Sequence, residues 1–185
     1  SATGGGFTSI QVGEGSAGLD YRGLVAFDIS SIPANAVIRS AKLQLVFLYE
    51  SPTRAAAAPP LWLQVREATG PWSETTANWT SASSLRGNVL DVKGIDPTTS
   101  NTPYQFNVTN TVREWVEGSR LNYGFYLDFD LSSVTATSFL FASSEYTTNT
   151  SYRPKLVVEY ELSPCATTPG CTSGDLIATE DTTLN

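Results

Sequence analysis

The sequence predicts an all-β fold, a jelly-roll-like β-sandwich with one short helix and a C-terminal strand available for donation to a neighbouring unit. Three observations support this prediction. Apolar residues recur at every second position in many short segments, clusters of Gly, Pro, Asn and Ser separate these segments, and only one stretch has helical spacing. The 185 residues are enough for one domain with a substantial core.

The strand pattern begins at residues 22–29 (RGLVAFDI), where Val25, Phe27 and Ile29 share one face. Residues 36–49 carry apolar side chains at period two, which indicates a long, half-buried strand. Further strands are predicted at 61–66, 88–92, 104–108, 123–129, 138–142 and 155–160. The last of these has one apolar and one polar face, as expected for an outer strand of a two-layer fold.

Residues 109–117 (TNTVREWVE) break the two-residue period. Val112 and Trp115 have helical spacing, Thr109 is placed to cap the first turn, as is Asn110, and Gly118 is placed to end the last turn. One short helix is therefore predicted, with Trp115 as a plug in the core.

The composition changes after residue 162. Residues 163–174 (SPCATTPGCTSG) have the character of a linker, and we predict a disulfide between Cys165 and Cys171, which implies an oxidising compartment. Residues 175–185 (DLIATEDTTLN) are predicted to be the first strand of the next unit, a donor strand that follows a sandwich domain at 1–162. The donor positions are Leu176, Ile177, Ala178 and Leu184.

Charge and composition limit the partners. The net charge of −7 argues against nucleic acid, and no apolar run is long enough to span a membrane. Because methionine is absent, we expect Ser1 to follow processing or to lie within a longer protein. An extracellular or cell-surface location is predicted. Three sequons make glycosylation candidates of Asn78, Asn107 and Asn149.

Catalytic chemistry finds little support in the residues. The chain has no histidine, which excludes a Ser-His-Asp hydrolase in its usual form. Asp128 and Asp130 share a strand face, and Glu74 lies between two tryptophans, but these carboxylates fit a solvated face or structural partners better than a glycosidase pair. We predict no catalysis and no cofactor, with a weak structural calcium site at Asp128 and Asp130 as the one metal alternative.

Five sequence blocks occur in a characteristic order: 22–33 (RGLVAFDISSIP), 36–45 (AVIRSAKLQL), 72–79 (WSETTANW), 106–118 with 122–124, and 143–145 with 154–160. Together they resemble the DNRLRE-type domains of secreted bacterial and archaeal proteins. The resemblance implies a jelly-roll sandwich, often in tandem, and some relatives are carbohydrate-binding modules that hold acidic polysaccharides such as alginate. The opening strand of that family is similar to 178–185 (ATEDTTLN), so the resemblance implies a permuted frame in which Ser1 would continue from Asn185.

Two functional hypotheses follow. The first is a non-catalytic structural unit of an extracellular filament or tandem-repeat surface fibre, whose copies assemble head-to-tail through the C-terminal strand. The alternative is a carbohydrate-binding module of a secreted polysaccharide-acting protein. Its candidate ligand contacts are the aromatic residues Trp62, Trp72, Trp79, Tyr123 and Tyr152, with Arg66, Arg86 and Arg153 for a uronate carboxylate. Trp72 and Trp79 also fit a packing role.

Overall fold

The computed structural model describes residues 6–14, 20–51, 61–129, 137–162 and 180–184, which form two antiparallel β-sheets packed face to face. The strands are β1 (Ser9–Glu14), β2 (Asp20–Tyr21), β3 (Gly23–Val25), β4 (Ala36–Ser51), β5 (Leu61–Ala68), β6 (Arg86–Ile95), β7 (Thr102–Asn107), β8 (Phe125–Phe129), β9 (Ser138–Ala142), β10 (Lys155–Leu162) and β11 (Glu180–Leu184). The helices are α1 (Trp79–Ala82) and α2 (Thr109–Val116), with short 3₁₀ turns at Ser83–Leu85 and Thr150–Tyr152. The predicted all-β sandwich is confirmed.

The first sheet has seven strands built around β4. The strand β7 pairs with one edge of β4, and β10 followed by β9 pairs with the other. Further out on that side, β11 pairs with β10, and β1 pairs with β9 and β2. The second sheet has the order β3-β8-β5-β6. Because β4 extends over 16 residues, about 50 Å, it is long enough to pair with β7, β9 and β10.

The core lies between the two sheets and is rich in phenylalanine. Alternate residues of β4, among them Leu43, Leu45 and Phe47, are fully buried against the inward residues of the second sheet. The ring of Phe47 meets Phe139 and Phe141 edge-on at centroid distances of 5.1 and 5.8 Å. Edge-to-face contacts of this kind stabilise a core beyond the area they bury.

The helix α2 forms where the sequence predicts it, but its N-cap is Val108, which makes no side-chain capping bond, so neither Thr109 nor Asn110 is the cap. Its Thr109 hydroxyl accepts a hydrogen bond from the Ala41 backbone at 3.0 Å, which holds the first turn against β4. Trp115 is 6% exposed and lies 5.0 Å from the ring of Phe125. The chain leaves the helix at Gly118, whose φ of +72° suits a C-terminal cap. Trp115 is therefore the predicted core plug.

The strand predicted at 22–29 is wrong in its extent. Pairing with β8 stops at Val25, because its partner Phe125 is the first residue of β8 and Gly124 before it has φ of +79°. Beyond that point the Phe27 carbonyl accepts a hydrogen bond from the Asn122 side chain at 2.9 Å. The sequence patterns also miss β1, which contains only one short apolar alternation.

The C-terminal segment is described in part. The strand β11 pairs with β10 of the same chain, with Leu184 opposite Leu156 and Glu180 opposite Tyr160. The linker at 163–174, the two cysteines and the donor positions 176–178 lie outside the described residues. Donation to a neighbouring unit therefore stays a prediction. No helix in the described ranges is both long and apolar enough to cross a membrane.

A core substitution tests the packing of β4. We expect Phe47→Ala to lower the free energy of unfolding by about 3–5 kcal/mol, since the cavity would lie between two other phenylalanine rings. Tyr49→Ala on the same strand is the control, because that side chain is 54% exposed, and a change within about 0.5 kcal/mol is expected. Denaturant unfolding measures both, and equal losses would contradict this assignment of the core.

Candidate functional site

The outward face of the second sheet carries a row of polar side chains. In β8, Phe125, Leu127 and Phe129 belong to the core, so the alternation turns Tyr126 and Asp128 outward. The same alternation in β5 turns Trp62, Gln64 and Arg66 outward. Gln64 lies opposite Asp128 and Arg66 lies opposite Tyr126 in the antiparallel register. The two strands thus place these groups side by side.

Asp128 is the centre of an ion-pair cluster. Its side chain is only 1% exposed, yet three guanidinium groups surround it. The Nε atoms of Arg22 and Arg86 each lie 2.5 Å from a carboxylate oxygen, and Nε of Arg66 lies at 3.4 Å. The Phe129 backbone N–H donates to the same carboxylate at 2.9 Å. A buried carboxylate requires such compensation for its lost hydration.

The three arginines differ in the number of hydrogen bonds that their guanidinium groups make within the protein. Arg22 also donates to the Tyr21 carbonyl at 2.9 Å, and Arg66 also donates to Gln64 and to the Gly87 carbonyl. Arg86 is 49% exposed, and within the described residues its bond to Asp128 uses only Nε. Among the described residues, the two terminal nitrogens of this half-exposed side chain make no hydrogen bond.

The charge of this cluster is positive within an acidic chain. Three arginines are balanced by Asp128 and by Asp20, which lies 3.4 Å from Arg22, so the local sum is +1 against −7 for the whole chain. Burial, and then the charge of Arg86, lowers the pKa of Arg66. Burial and the Asp128 charge raise the pKa of Tyr126.

Trp62 extends the same face with an exposed aromatic surface. Its side chain is 51% exposed, and it lies two residues, or about 7 Å, along β5 from Gln64. We call the set Trp62, Gln64, Arg22, Arg66, Arg86 and Asp128 the arginine face. It combines a flat apolar surface with a half-exposed guanidinium, a pattern that suits a ligand with both apolar and anionic parts.

The other predicted aromatic contacts lie elsewhere. Trp72 is half-buried, donates to the Tyr123 carbonyl at 2.7 Å, and packs in a small cluster with Tyr126 and Leu85. This geometry favours a packing role for Trp72. Trp79 begins α1, and its side chain is not among those described. Tyr123 is half-buried beside Gly124, so its backbone carbonyl is its contribution to this region.

Tyr152 and Arg153 belong to the connection between β9 and β10, on the first sheet. Tyr152 stacks on Tyr146 with ring centroids 6.1 Å apart and an interplanar angle of 13°. Arg153 donates from Nε to the Tyr146 carbonyl at 3.0 Å. These contacts stabilise the loop, and the structure does not bring either residue into the arginine face.

A polar cleft of about 240 Å³ lies where β6 meets β7 at the seam of the sandwich. It is lined by Lys42, Asp91, Lys93, Gln105 and Asn107. The Asp91 carboxylate accepts a hydrogen bond from the Asn107 backbone N–H at 2.8 Å, and Nζ of Lys93 lies 3.7 Å from the same carboxylate. The cleft therefore holds groups that already link the two sheets, and it offers no aromatic surface.

The metal and glycosylation candidates have other observable contacts. Asp128 is paired with arginines, Asp130 lies outside the described residues, and no cluster of three potential metal-ligating side chains occurs in the described ranges.

The side-chain oxygens of Asn78, Asn107 and Asn149 accept hydrogen bonds from the backbone N–H groups two residues further along the chain, at 3.0–3.1 Å. Glycosylation of these asparagines stays a prediction.

The comparison with known families adds the decisive observation. The model of Carbohydrate-binding module family 96 matches residues 3–160, which include both sheets except β11 and the end of β10. The chain belongs to carbohydrate-binding module family 96. No curated protein matches the sequence.

Membership of family 96 favours the alternative functional hypothesis, carbohydrate binding, over the fibre hypothesis placed first by the sequence. It is consistent with a non-catalytic chain, because a carbohydrate-binding module binds its polysaccharide without cleaving it. The match does not address the DNRLRE resemblance or the permuted frame, and both stay predictions.

The sequence identified Arg66, Arg86 and Trp62 but not Arg22, Gln64 or the role of Asp128. The available signal was the presence of charged residues at outward positions of otherwise apolar strands. Asp128 lies between Leu127 and Phe129, which are both in the core, so a paired charge was the physical requirement for burial at that position.

Removal of the central charge should destabilise the fold. We expect Asp128→Asn to lower the free energy of unfolding by about 3 kcal/mol, because three guanidinium groups would lose their shared counter-charge. Glu159→Gln is the control, since Glu159 is exposed on β10 of the other sheet and should change stability by less than about 0.5 kcal/mol. Chemical denaturation measures both variants. An Asp128→Asn protein as stable as the control would contradict a structural role for the cluster.

Proposed function

We propose that this chain is a non-catalytic module that binds an acidic polysaccharide on the arginine face. The observation that carries the proposal is the half-exposed Arg86 guanidinium, held at Asp128, on the same face as the exposed ring of Trp62. Membership of family 96 supplies the ligand class, carbohydrate. The face supplies the preference for a charged polymer.

Each part of the face has a separate physical task. The flat ring of Trp62 offers apolar area to the C–H groups of a sugar ring, at a low cost in conformational entropy. The planar fork of Arg86 matches a uronate carboxylate, and a charge-assisted bidentate pair is about twice as strong as a neutral hydrogen bond. Asp128 fixes the guanidinium through Nε and leaves its terminal nitrogens for the ligand, which reduces the ordering cost of binding.

The acidic character of the whole chain does not oppose this ligand at close range. At physiological ionic strength the Debye length is about 8 Å, so charges elsewhere on the surface are largely screened from a ligand on this face. The local sum of +1 from three arginines and two aspartates therefore decides the sign of the interaction. Affinity for an acidic polymer should fall as salt is added.

Binding of polysaccharide also fits the predicted location. Modules of this kind serve secreted proteins, where they hold an enzyme or a cell surface against an insoluble or viscous polymer. The disulfide predicted between Cys165 and Cys171 implies the same oxidising compartment. We infer that the chain works outside the cell, within or beside a protein that acts on polysaccharide.

A second candidate function is a unit of an extracellular filament, assembled head-to-tail through the C-terminal strand. The observation that favours it is the position of β11 on the outer edge of β10, where a strand from another copy would fit equally well. Negative-stain microscopy of the native material tests it. Filaments with a regular axial repeat are expected, and isolated particles at high concentration would contradict it.

Binding measurements test the arginine face. We expect Arg86→Ala to weaken binding of an alginate oligosaccharide about tenfold, because the direct charge-assisted contact is lost, and to leave binding of any uncharged oligosaccharide little changed. Trp62→Ala should weaken binding of both ligand types about tenfold, since the apolar contact does not depend on charge. Isothermal titration calorimetry measures these affinities.

The matched control is Arg39→Ala on the first sheet. Arg39 is 58% exposed and pairs with Glu161, so it has the exposure and charge of Arg86 without the aromatic neighbour. Its removal should leave affinity within a factor of about two. Equal losses for Arg39→Ala and Arg86→Ala would mean that the polymer binds through general charge, and no loss for Arg86→Ala would reject the proposed face.

A further inference from the structure

In the first sheet, the strands β11 and β1 lie end to end along one line parallel to β4. Leu184 at the end of β11 is opposite Leu156, which is opposite Leu43 of β4. Near the start of β1, Ile10 is opposite Phe141, which is opposite Phe47 of β4. Both strands therefore run in the direction of β4, each two strands away from it on the same side. Leu43 and Phe47 are four residues apart, so the two strands are separated by only about 13 Å along the line.

The order along this line is β11 and then β1, although β11 is last in the sequence. The strand β11 pairs with the backbone N–H and C=O groups along this side of β10, which would otherwise form an open edge of the sheet. The backbone groups of this edge can pair with β11 from the same chain or from another copy, because the hydrogen bonds would be the same.

The connection between β10 and β11 is longer than the pairing requires. Antiparallel neighbours are usually joined by two to five residues, whereas residues 163–179 separate these two strands. A chain of that length can reach about 55 Å when extended, which is more than the width of a domain of this size. The sequence therefore permits β11 to reach the β10 edge of an adjacent copy.

We propose that the β10 edge from Leu156 to Tyr160 accepts β11 from a second copy of this chain, so that copies join head to tail. The backbone hydrogen bonds are the same within and between copies, so exchange has no intrinsic energetic penalty. The balance depends on effective concentration, which is in the millimolar range for a tethered strand. Exchange is therefore expected when copies are concentrated to that range or held side by side.

The contact has a direction that matters for assembly. Each copy donates β11 and accepts at β10, so the donor and acceptor surfaces are different and the contact need not close on itself. The acceptor edge lies in the first sheet, and the arginine face lies in the second. This proposal deepens the filament function and rests on it, and it is independent of carbohydrate binding.

Cross-linking in register tests the proposal on the full chain. Val157 is opposite Thr183, and Glu159 is opposite Asp181, so each pair brings two Cα atoms within disulfide range. Single-cysteine chains carrying V157C, E159C, T183C or D181C are prepared with Cys165 and Cys171 replaced by serine. An acceptor variant and a donor variant are then mixed at about 1 mM in a thiol–disulfide buffer, the range at which exchange competes with closure.

The two matched mixtures, V157C with T183C and E159C with D181C, should give about tenfold more cross-linked dimer than the mismatched mixtures, whose Cα atoms would be about 8 Å apart. The same mixtures incubated at micromolar concentration should form no dimers, because each chain then pairs with its own β11 before the cross-link forms. The double variant V157C/T183C at that dilution should close within one chain, which confirms the register. Equal yields from matched and mismatched mixtures, or closure of the double variant with no matched dimers at 1 mM, would overturn the proposal.

Loss of exchange and loss of carbohydrate binding are distinguishable in the same samples. If matched dimers form and the oligosaccharide titration fails, the interface is retained and the arginine face is rejected. If the titration succeeds and matched dimers are absent, the chain is a module that keeps its own β11.

Discussion

The buried carboxylate of Asp128 is the constraint on which the arginine face depends. It lies in the middle of β8, between two core residues, and its burial at 1% exposure is possible because arginines converge on it. These arginines come from or beside β3, β5 and β6, which are the other three strands of the second sheet. One charge thus ties all four strands together on their outward face. The same pairing holds Arg86 through its Nε atom.

The two sheets divide their tasks. The second sheet carries the arginine face, and its inward residues complete the phenylalanine core. The first sheet provides the long support of β4 and the edge of β10 on which β11 lies. Because the proposed ligand face and the proposed acceptor edge are on different sheets, polymer binding and strand exchange would use separate surfaces. Carbohydrate binding and head-to-tail assembly are therefore compatible in one chain, although family membership supports only the first.

The sequence predicts those features that depend on local spacing. The two-residue period predicts the sandwich, and the helical spacing of Val112 and Trp115 predicts α2 with Trp115 buried in the core. The arginine face depends on the register between distant strands, since Arg86 and Asp128 are 42 residues apart in the chain. No local pattern contains that register, so the sequence alone placed Asp128 on a solvated face or in a calcium site. Exposure is also non-local, which is why Trp62 and Trp72 look equivalent in the sequence and differ in the fold.

The most direct test of the arginine face is a nuclear magnetic resonance titration of the labelled protein with an alginate oligosaccharide. The four tryptophan indoles and the arginine Nε–H groups give separate side-chain signals that report contact without mutation. Binding on the arginine face predicts the largest shifts at Trp62 and Arg86, with Trp115 in the core unchanged. Shifts concentrated at Lys42 and Lys93 of the seam cleft, with Trp62 and Arg86 unaffected, would contradict it.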